Sequence, residues 1–207
     1  MATVVTALDS VTAWVQGNIC EKIRLKKPPI DENAATDAGY EYELITPHAF
    51  PFFVPTQDKI RLPAVAPIPS VCVRVADGSF DLTKSRQNIS FDLCFSTWST
   101  GTHGKDIFKP IDRMTYARWT GKDADAFFEK NGDGWRDAWN MVDIALREIR
   151  STTNIGGLAV DRSVPVTFSP LKEQEAIPDY YPFWFAVLTF STVDDMRVNI
   201  DDVQNFL

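Results

Sequence analysis

From Val4 to Ile23 the apolar residues Val4, Leu8, Val11, Val15, Ile19 and Ile23 recur in steps of three and four, with Asp9, Gln16, Glu21 and Lys22 between them. Side chains at that spacing share one face of a helix, so the pattern predicts an amphipathic helix. "KKPP" at Lys26 to Pro29 stops it, because proline has no N–H to donate and pushes its predecessor out of helical geometry. Further on the period changes to two. Val71, Val73 and Val75 alternate with Cys72 and Arg74, and Phe91, Leu93 and Phe95 alternate with Asp92 and Cys94. Such alternation is that of half-buried strands. An antiparallel register pairing 71 with 95, 73 with 93 and 75 with 91 puts both apolar sets on one side. It also sets Cys72 opposite Cys94 on the other, and a slip of one residue would destroy the match.

Steps of three and four return in "DGWRDAWNMVDIALREIR". Trp135, Trp139, Val142, Leu146 and Ile149 form a stripe beside Ala138 and Ala145, while Arg136, Asp137, Asp143, Arg147 and Glu148 fall outside it. This predicts a long core helix with Asp133 as N-cap and "NIGG" as its stop. Each large apolar side chain it buries contributes on the order of 2 kcal/mol. After it, "LAVD", "VPVTF" and "YPFWFAVLTF" read as strands. Residues 30 to 69 hold Pro47, Pro51, Pro55, Pro63, Pro67 and Pro69, a composition for an irregular surface crossing, with "YEYELI" as one strand and Phe50, Phe52 and Phe53 expected to hold it down. Residues 99 to 131 read as an insertion or extended arm with a short helix over "DADAFFEK", and 193 to 207 as an acidic end segment, frayed or docking. The predicted fold class is α+β in one domain over 1–207. It is a mainly antiparallel sheet packed against an N-terminal helix and a long central amphipathic helix, with a loop-rich insertion.

The stretch "YYPFWFAVLTF" (180–190) raises its own question. As a strand it places Tyr181, Phe183, Phe185 and Val187 on one side and Trp184, Ala186, Leu188 and Phe190 on the other. An antiparallel sheet normally leaves one face for solvent, so two apolar faces call for two covers. The Trp135 and Trp139 helix suits one. The N-terminal helix, the proline-rich crossing and a neighbouring subunit all remain open for the other.

The 207 residues carry a net charge of -7, with 44% hydrophobic and 12% aromatic positions, which places the chain among globular proteins. Its start carries no basic residue before the apolar stretch, and the longest apolar run is about half a membrane helix. A chain made in the cytoplasm, with no membrane partner, is therefore expected, which discounts "NIS" at Asn88 as a glycosylation site. Cys20, Cys72 and Cys94 lie far apart without a CxxC spacing and suit buried small hydrophobes better than a zinc site. The acidic balance disfavours nucleic acid as a sequence-specific partner.

Catalytic chemistry requires particular residue types at particular spacings. A Ser or Cys nucleophile needs a base, and only His48 and His103 exist, both in turn-like contexts. "GxSxG", "HExxH" and phosphate-loop patterns are absent from the chain. The acidic run Asp123, Asp125, Glu129, Asn131 and Asp133 approaches a calcium loop, with Gly134 sixth from Glu129, but its twelfth position is Asn140 rather than Glu. The pairs Asp194–Asp195 and Asp201–Asp202 read as a solvated tail rather than an acid and base. Lys105, Lys109, Arg113, Arg118 and Lys122, interleaved with Phe108, Tyr116 and Trp119, have the composition of a nucleic-acid contact. Asp106, Asp112 and Asp123 dilute that charge, and a protein contact on an exposed arm fits as well. The expectation is a protein that is not an enzyme, uses no cofactor and acts through binding or assembly.

The order "PIPSVCVRVADG", "ISFDLCFSTWS", "WRDAWNMVDIALREI", "VPVTFSPL" and "YPFWFAVLTFST" after an N-terminal helix resembles the tail terminator, or tail completion, proteins of tailed bacteriophages and related contractile particles. The resemblance is one of pattern and order over about two thirds of the chain. It implies a virion protein of the tail or neck, forming a homo-oligomeric ring, commonly of six subunits. Such a ring caps the tail tube, stops its polymerisation and meets the head connector. Its implied partners are further copies of itself, the tail tube protein and connector proteins, and no catalytic residue comes with it. A closed ring needs two different complementary surfaces on each subunit. Phe183, Phe185, Trp119 and Phe108 are the expected interface positions. Two alternatives stand beside this: another neck or connector component, and a small-ligand or carbohydrate-binding module using Trp98, Trp119 and Tyr180.

Overall fold

Two thirteen-residue strands, β5 (Arg86–Trp98) and β11 (Phe183–Asp195), lie antiparallel along their whole length, from Phe183 against Trp98 to Asp195 against Arg86. They form the middle of the fold in a computed structural model that describes residues 3–29, 43–56, 59–60, 65–99, 108–110, 116–118, 135–173 and 176–195. On the far side of β5 comes β4 (Ser70–Asp81), then β3 (His48–Pro51), which runs parallel to β4. The other edge of β11 is shared by two short strands. β10 (Thr167–Pro170) pairs with its first half, and β9 (Leu158–Val160), continued by β8 (Asn154–Ile155), pairs with its second. The remaining strands make two separate two-stranded pieces, β1 (Leu25–Lys26) with β2 (Leu44–Ile45) and β6 (Phe108–Pro110) with β7 (Tyr116–Arg118).

The β4–β5 register is the one the alternation predicts: Val71 pairs with Phe95, Val73 with Leu93, Val75 with Phe91, and Cys72 with Cys94. A bulge between Val75 and Asp77 then shifts the hairpin arm. At its tip the Asp81 carboxylate accepts from the Thr83 and Lys84 amides. In β11 the partners of Phe95, Leu93 and Phe91 are Ala186, Leu188 and Phe190, so three strands aim their apolar sets at the same side, and all of these but Val75 are fully buried.

Both helices lie on that side. Helix α1 (Val4–Asn18) starts at Thr3, whose hydroxyl accepts from the Thr6 amide at 3.1 Å, and buries Ala7, Val11 and Val15, one turn apart. Trp14 packs against Phe190, and the Gln16 side chain accepts from the Ala49 amide at 2.9 Å, tying the helix to β3. The second helix, α2 (Arg136–Ser151), buries Ala138, Met141, Val142, Ala145 and Ile149. Lys22, in the 3-10 turn after α1, reaches Glu148 of α2 at 2.7 Å and joins the two. At the β8–β9 turn Gly156 has φ +58, and a Cβ there would sit 2.5 Å from the Ser10 side chain, so only glycine permits this approach to α1.

Several expectations are corrected. The fold is mostly strand (41%), with only two helices among the described residues, and its centre is a curled mixed sheet. The predicted α+β arrangement around a long central helix is overturned: α2 is one of two covers on a strand framework. The strand content was underread for physical reasons. The hairpin arms beyond Val75 and Ile89 are mostly polar, with exposed Phe80 as their one large apolar side chain, so they carry no period-two signal. β11 continues through Val193, Asp194 and Asp195, which read as the start of the acidic end segment. The parallel pairing of β3 joins segments eighteen residues apart across a proline-rich crossing that has no pattern of its own. Trp135, assigned to the helix core, precedes α2 and is 42% exposed; the seam runs through Ala138, Met141, Val142 and Ala145 instead. The N-cap position of α2 is Trp135, with no capping side chain, so the expected Asp133 cap is corrected. Asp133 itself, His103 and most of 99–131, including "DADAFFEK", lie outside the described residues.

Leu188→Ala leaves a void where three strands and two helices meet, and should cost about 2–5 kcal/mol in urea denaturation. A second outcome concerns pH. The hydrogen bond from Lys22, aided by Arg147, holds the Glu148 carboxyl below its ordinary range. Its contribution is then complete above the ordinary carboxylate range and lost as pH falls through the depressed value. Glu148→Gln should therefore lower the urea midpoint at pH 7, with the gap to the parent closing below about pH 4.

Candidate functional site

The site lies where β10 stops. Pro170 is its last residue, paired with Ala186; beyond it, Phe183 to Phe185 of β11 have β5 on one edge and, among the described residues, no strand on the other. Proline supplies no N–H to continue a ladder, so the strand ends there. The segment after Pro170 turns away and returns through Tyr180 and Tyr181 into β11. The cavity left between them is about 280 Å³, lined by Trp135, Trp139, Pro170, Ile177, Tyr180 and Phe185 among others.

Aromatic rings make most of this lining. Tyr180 stands edge-on to Phe185 at 5.7 Å, Tyr181 edge-on to Trp184 at 6.2 Å, and Trp139 edge-on to Phe168 at 6.2 Å. Such edge-to-face contacts hold ring orientation more firmly than burial alone. Trp184 is anchored further by its indole N–H donating to the Ser99 carbonyl at 3.0 Å. The return of the chain is set by the Tyr181 amide donating to Asp179 and the Phe183 amide donating to the Tyr180 carbonyl at 2.8 Å. The Tyr180 hydroxyl donates to Glu173, and the Arg136 guanidinium sits 5.7 Å above the Trp135 ring.

This much apolar surface is unusual in water. Around the cavity Ile177 is 67% exposed, Phe168 53%, Tyr181 44%, Trp135 42% and Tyr180 40%. Scattered apolar residues mean nothing, whereas a contiguous group of them marks a contact surface. The outer sheet face behind it divides in two. Toward the end of β11 it is polar: Thr189 donates to Asp92 at 2.7 Å, Asp92 faces Arg74, and the Ser90 and Ser191 hydroxyls meet at 2.8 Å. Toward its start stand half-buried Phe183, Phe185 and Val187.

Of the expected interface positions, Phe183 and Phe185 come together at this cavity. Phe108 belongs to the separate β6–β7 hairpin, and Trp119 lies outside the described residues, as do the calcium-like acidic run up to Gly134 and the basic residues of the arm apart from Lys109 and Arg118. Trp98, expected as a surface aromatic, is only 4% exposed, whereas Tyr180 is at the surface as the binding-module reading required. Phe168, Ile177 and Asp179 were not singled out from the sequence. The turn signal of "IPDYY" could have pointed to the last two. Phe168 borders the site through its edge-on contact with Trp139. Of the two covers sought for "YYPFWFAVLTF", the inner one is both helices, and the outer one is partial and internal, made by Tyr180 over Phe185.

The groups examined for chemistry sit apart from this cavity. His48 lies edge-on to Phe50 at 4.7 Å in β3, and burial pulls its pKa down, favouring the neutral imidazole. The three cysteines are free; burial pushes Cys20 to about 12 and Cys72 to about 11 and raises Cys94, so their thiols stay protonated at neutral pH. No helix among the described residues is long and apolar enough to cross a membrane.

These features define a curled, mixed-sheet protein with an aromatic cavity at one sheet edge. Comparison of the chain with protein families, curated proteins and solved structures finds no match.

The Tyr180 phenol is held neutral by its hydrogen bond to Glu173, by partial loss of solvent and by the carboxylate charge, so it ionises above its ordinary value. Ultraviolet titration at the phenolate band should show one tyrosine ionising late, and Glu173→Gln should return it toward the ordinary range.

Proposed function

We propose that this protein is a structural subunit that assembles with other proteins through its aromatic sheet edge, and that it acts as a tail-terminator-like ring subunit on a tail tube. The observation that carries the assembly reading is the group of exposed Trp135, Phe168, Tyr180 and Tyr181 side chains around the cavity, together with half-buried Phe183 and Phe185 of β11 in its lining. Rigid, exposed aromatic anchors are what protein contacts are built on, because they bury large areas at little entropic cost. The tail-terminator assignment rests on the resemblance in element order and pattern along the sequence. It implies a virion component with the tail tube and the head connector as partners.

A second reading draws on the same cavity. Its volume is just under the lower end of small-ligand pockets, roughly 300 Å³, and Tyr and Trp faces suit an apolar or sugar ring. A glycan and ligand array separates the two, since a binding module gives a saturable hit that free Tyr180→Ala protein loses.

Negative-stain microscopy of the purified protein should show closed rings, and addition to polymerising tail-tube protein should give shorter, capped tubes. A strict monomer that leaves tube lengths unchanged sinks the ring assignment. Phe185→Asp should abolish rings while leaving the circular dichroism spectrum and monomer solubility intact, because Phe185 is outside the helix-covered core.

A further inference from the structure

At the opposite edge of the sheet the chain displays a second apolar feature. β3 ends at Pro51. The Phe53 amide then donates back to the Pro51 carbonyl at 2.8 Å, closing a three-residue turn around Phe52, whose φ is +67. A bulky residue in left-handed geometry is strained, and such strain persists where the surroundings enforce it, commonly at functional positions. Here the Phe52 amide is held on the Val73 carbonyl at 2.7 Å. The result is that Phe52 and Phe53 stand in solvent, 67% and 66% exposed, between Pro51 and Pro55. The segment "PFFVP" is therefore an exposed knob stiffened by proline on both sides, so it loses little freedom on docking.

We propose that the Pro51–Pro55 knob of one copy docks into the Trp135, Trp139, Tyr180 and Phe185 cavity of the next copy. The proposal deepens the assembly reading and rests on it. Three observations on the molecule select this occupant. Knob and cavity match in chemistry: two exposed phenylalanines held between prolines face a cavity lined mainly by Trp, Tyr, Phe and Pro side chains, the aromatic-lined kind of groove that takes proline-containing segments. They also lie at opposite sheet edges, β3 at one and the end of β10 at the other. That is the placement a head-to-tail contact between identical subunits needs, with two different surfaces on each. Finally, the knob cannot fill its own cavity. It is pinned to Val73 of β4, and four strand spacings, roughly 19 Å, separate β3 from β10.

The test is complementation between two full-length variants. Phe52→Ser with Phe53→Ser removes the knob and keeps the cavity; Phe185→Asp removes the cavity and keeps the knob. All three positions lie outside the buried core, and circular dichroism and urea midpoints confirm folding of each variant. Alone, each variant should be monomeric in mass photometry. Mixed, they retain one productive interface per pair and should give a one-to-one dimer that stops there. A wild-type ring together with a mixture that stays monomeric, or a knob-less variant that still forms rings, overturns the knob-and-cavity contact while leaving the ring assignment standing. A wild-type chain that is monomeric both alone and on tail tubes overturns both.

Discussion

Everything in this structure hangs on the ladder between β5 and β11. Thirteen consecutive pairs join strands that are almost a hundred residues apart in the chain, and the register decides which side chains face the helices. Because side chains alternate with a period of two, a slip of one residue would put Ala186, Leu188 and Phe190 on the opposite face from Phe91, Leu93 and Phe95. The pairing is therefore set by burial as much as by hydrogen bonds. β4 inherits its register from β5 through Val71 and Val73, and the helices find their places on the surface that results.

The same ladder explains why the apolar surface is concentrated at one end. β11 is longer than either neighbour on its outer edge, so β10 and β9 divide that edge between them. Where β10 ends at Pro170, the first residues of β11 are apolar on both faces and, among the described residues, have a partner strand on one edge. The chain covers the outer face only in part, by folding Tyr180 over Phe185. At the far end of β11 the problem does not arise, since Thr189 and Ser191 pair with Asp92 and Ser90. One strand thus carries both a solvated half and a half that is incompletely covered.

Opposite edges of the sheet are treated differently as well. An exposed edge is a hazard, and proteins commonly blunt it with proline or a short strand. Two of the edge strands here end at proline, Pro51 in β3 and Pro170 in β10, and each has four residues. Beyond one proline stand two solvent-facing phenylalanines, and beyond the other an aromatic cavity. A fold that guards its edges against indiscriminate pairing thereby presents two distinct apolar features.

Local pattern was enough for some of this. The α1 periodicity as far as Val15, the β4–β5 register with Cys72 against Cys94, the existence of α2 and the two apolar faces of "YYPFWFAVLTF" were legible, because each depends on side chains a few positions apart; the end of α1 was not, since the helix stops at Asn18, well before the prolines expected to end it. The clustering of Phe183, Phe185 and Tyr180 was half legible, since they are neighbours in sequence. Other features depended on residues far apart. The dominance of strand over helix came from polar hairpin arms and from the end of β11, where pairing partners rather than hydrophobic alternation hold the backbone extended. The parallel docking of β3, the exposure of Trp135, the burial of Trp98 and the arrival of Phe168 beside Trp139 were decided only when the sheet closed. The sequence by itself determined which face each segment would bury; the tertiary structure decided what would lie against it, because coverage depends on where distant strands stop.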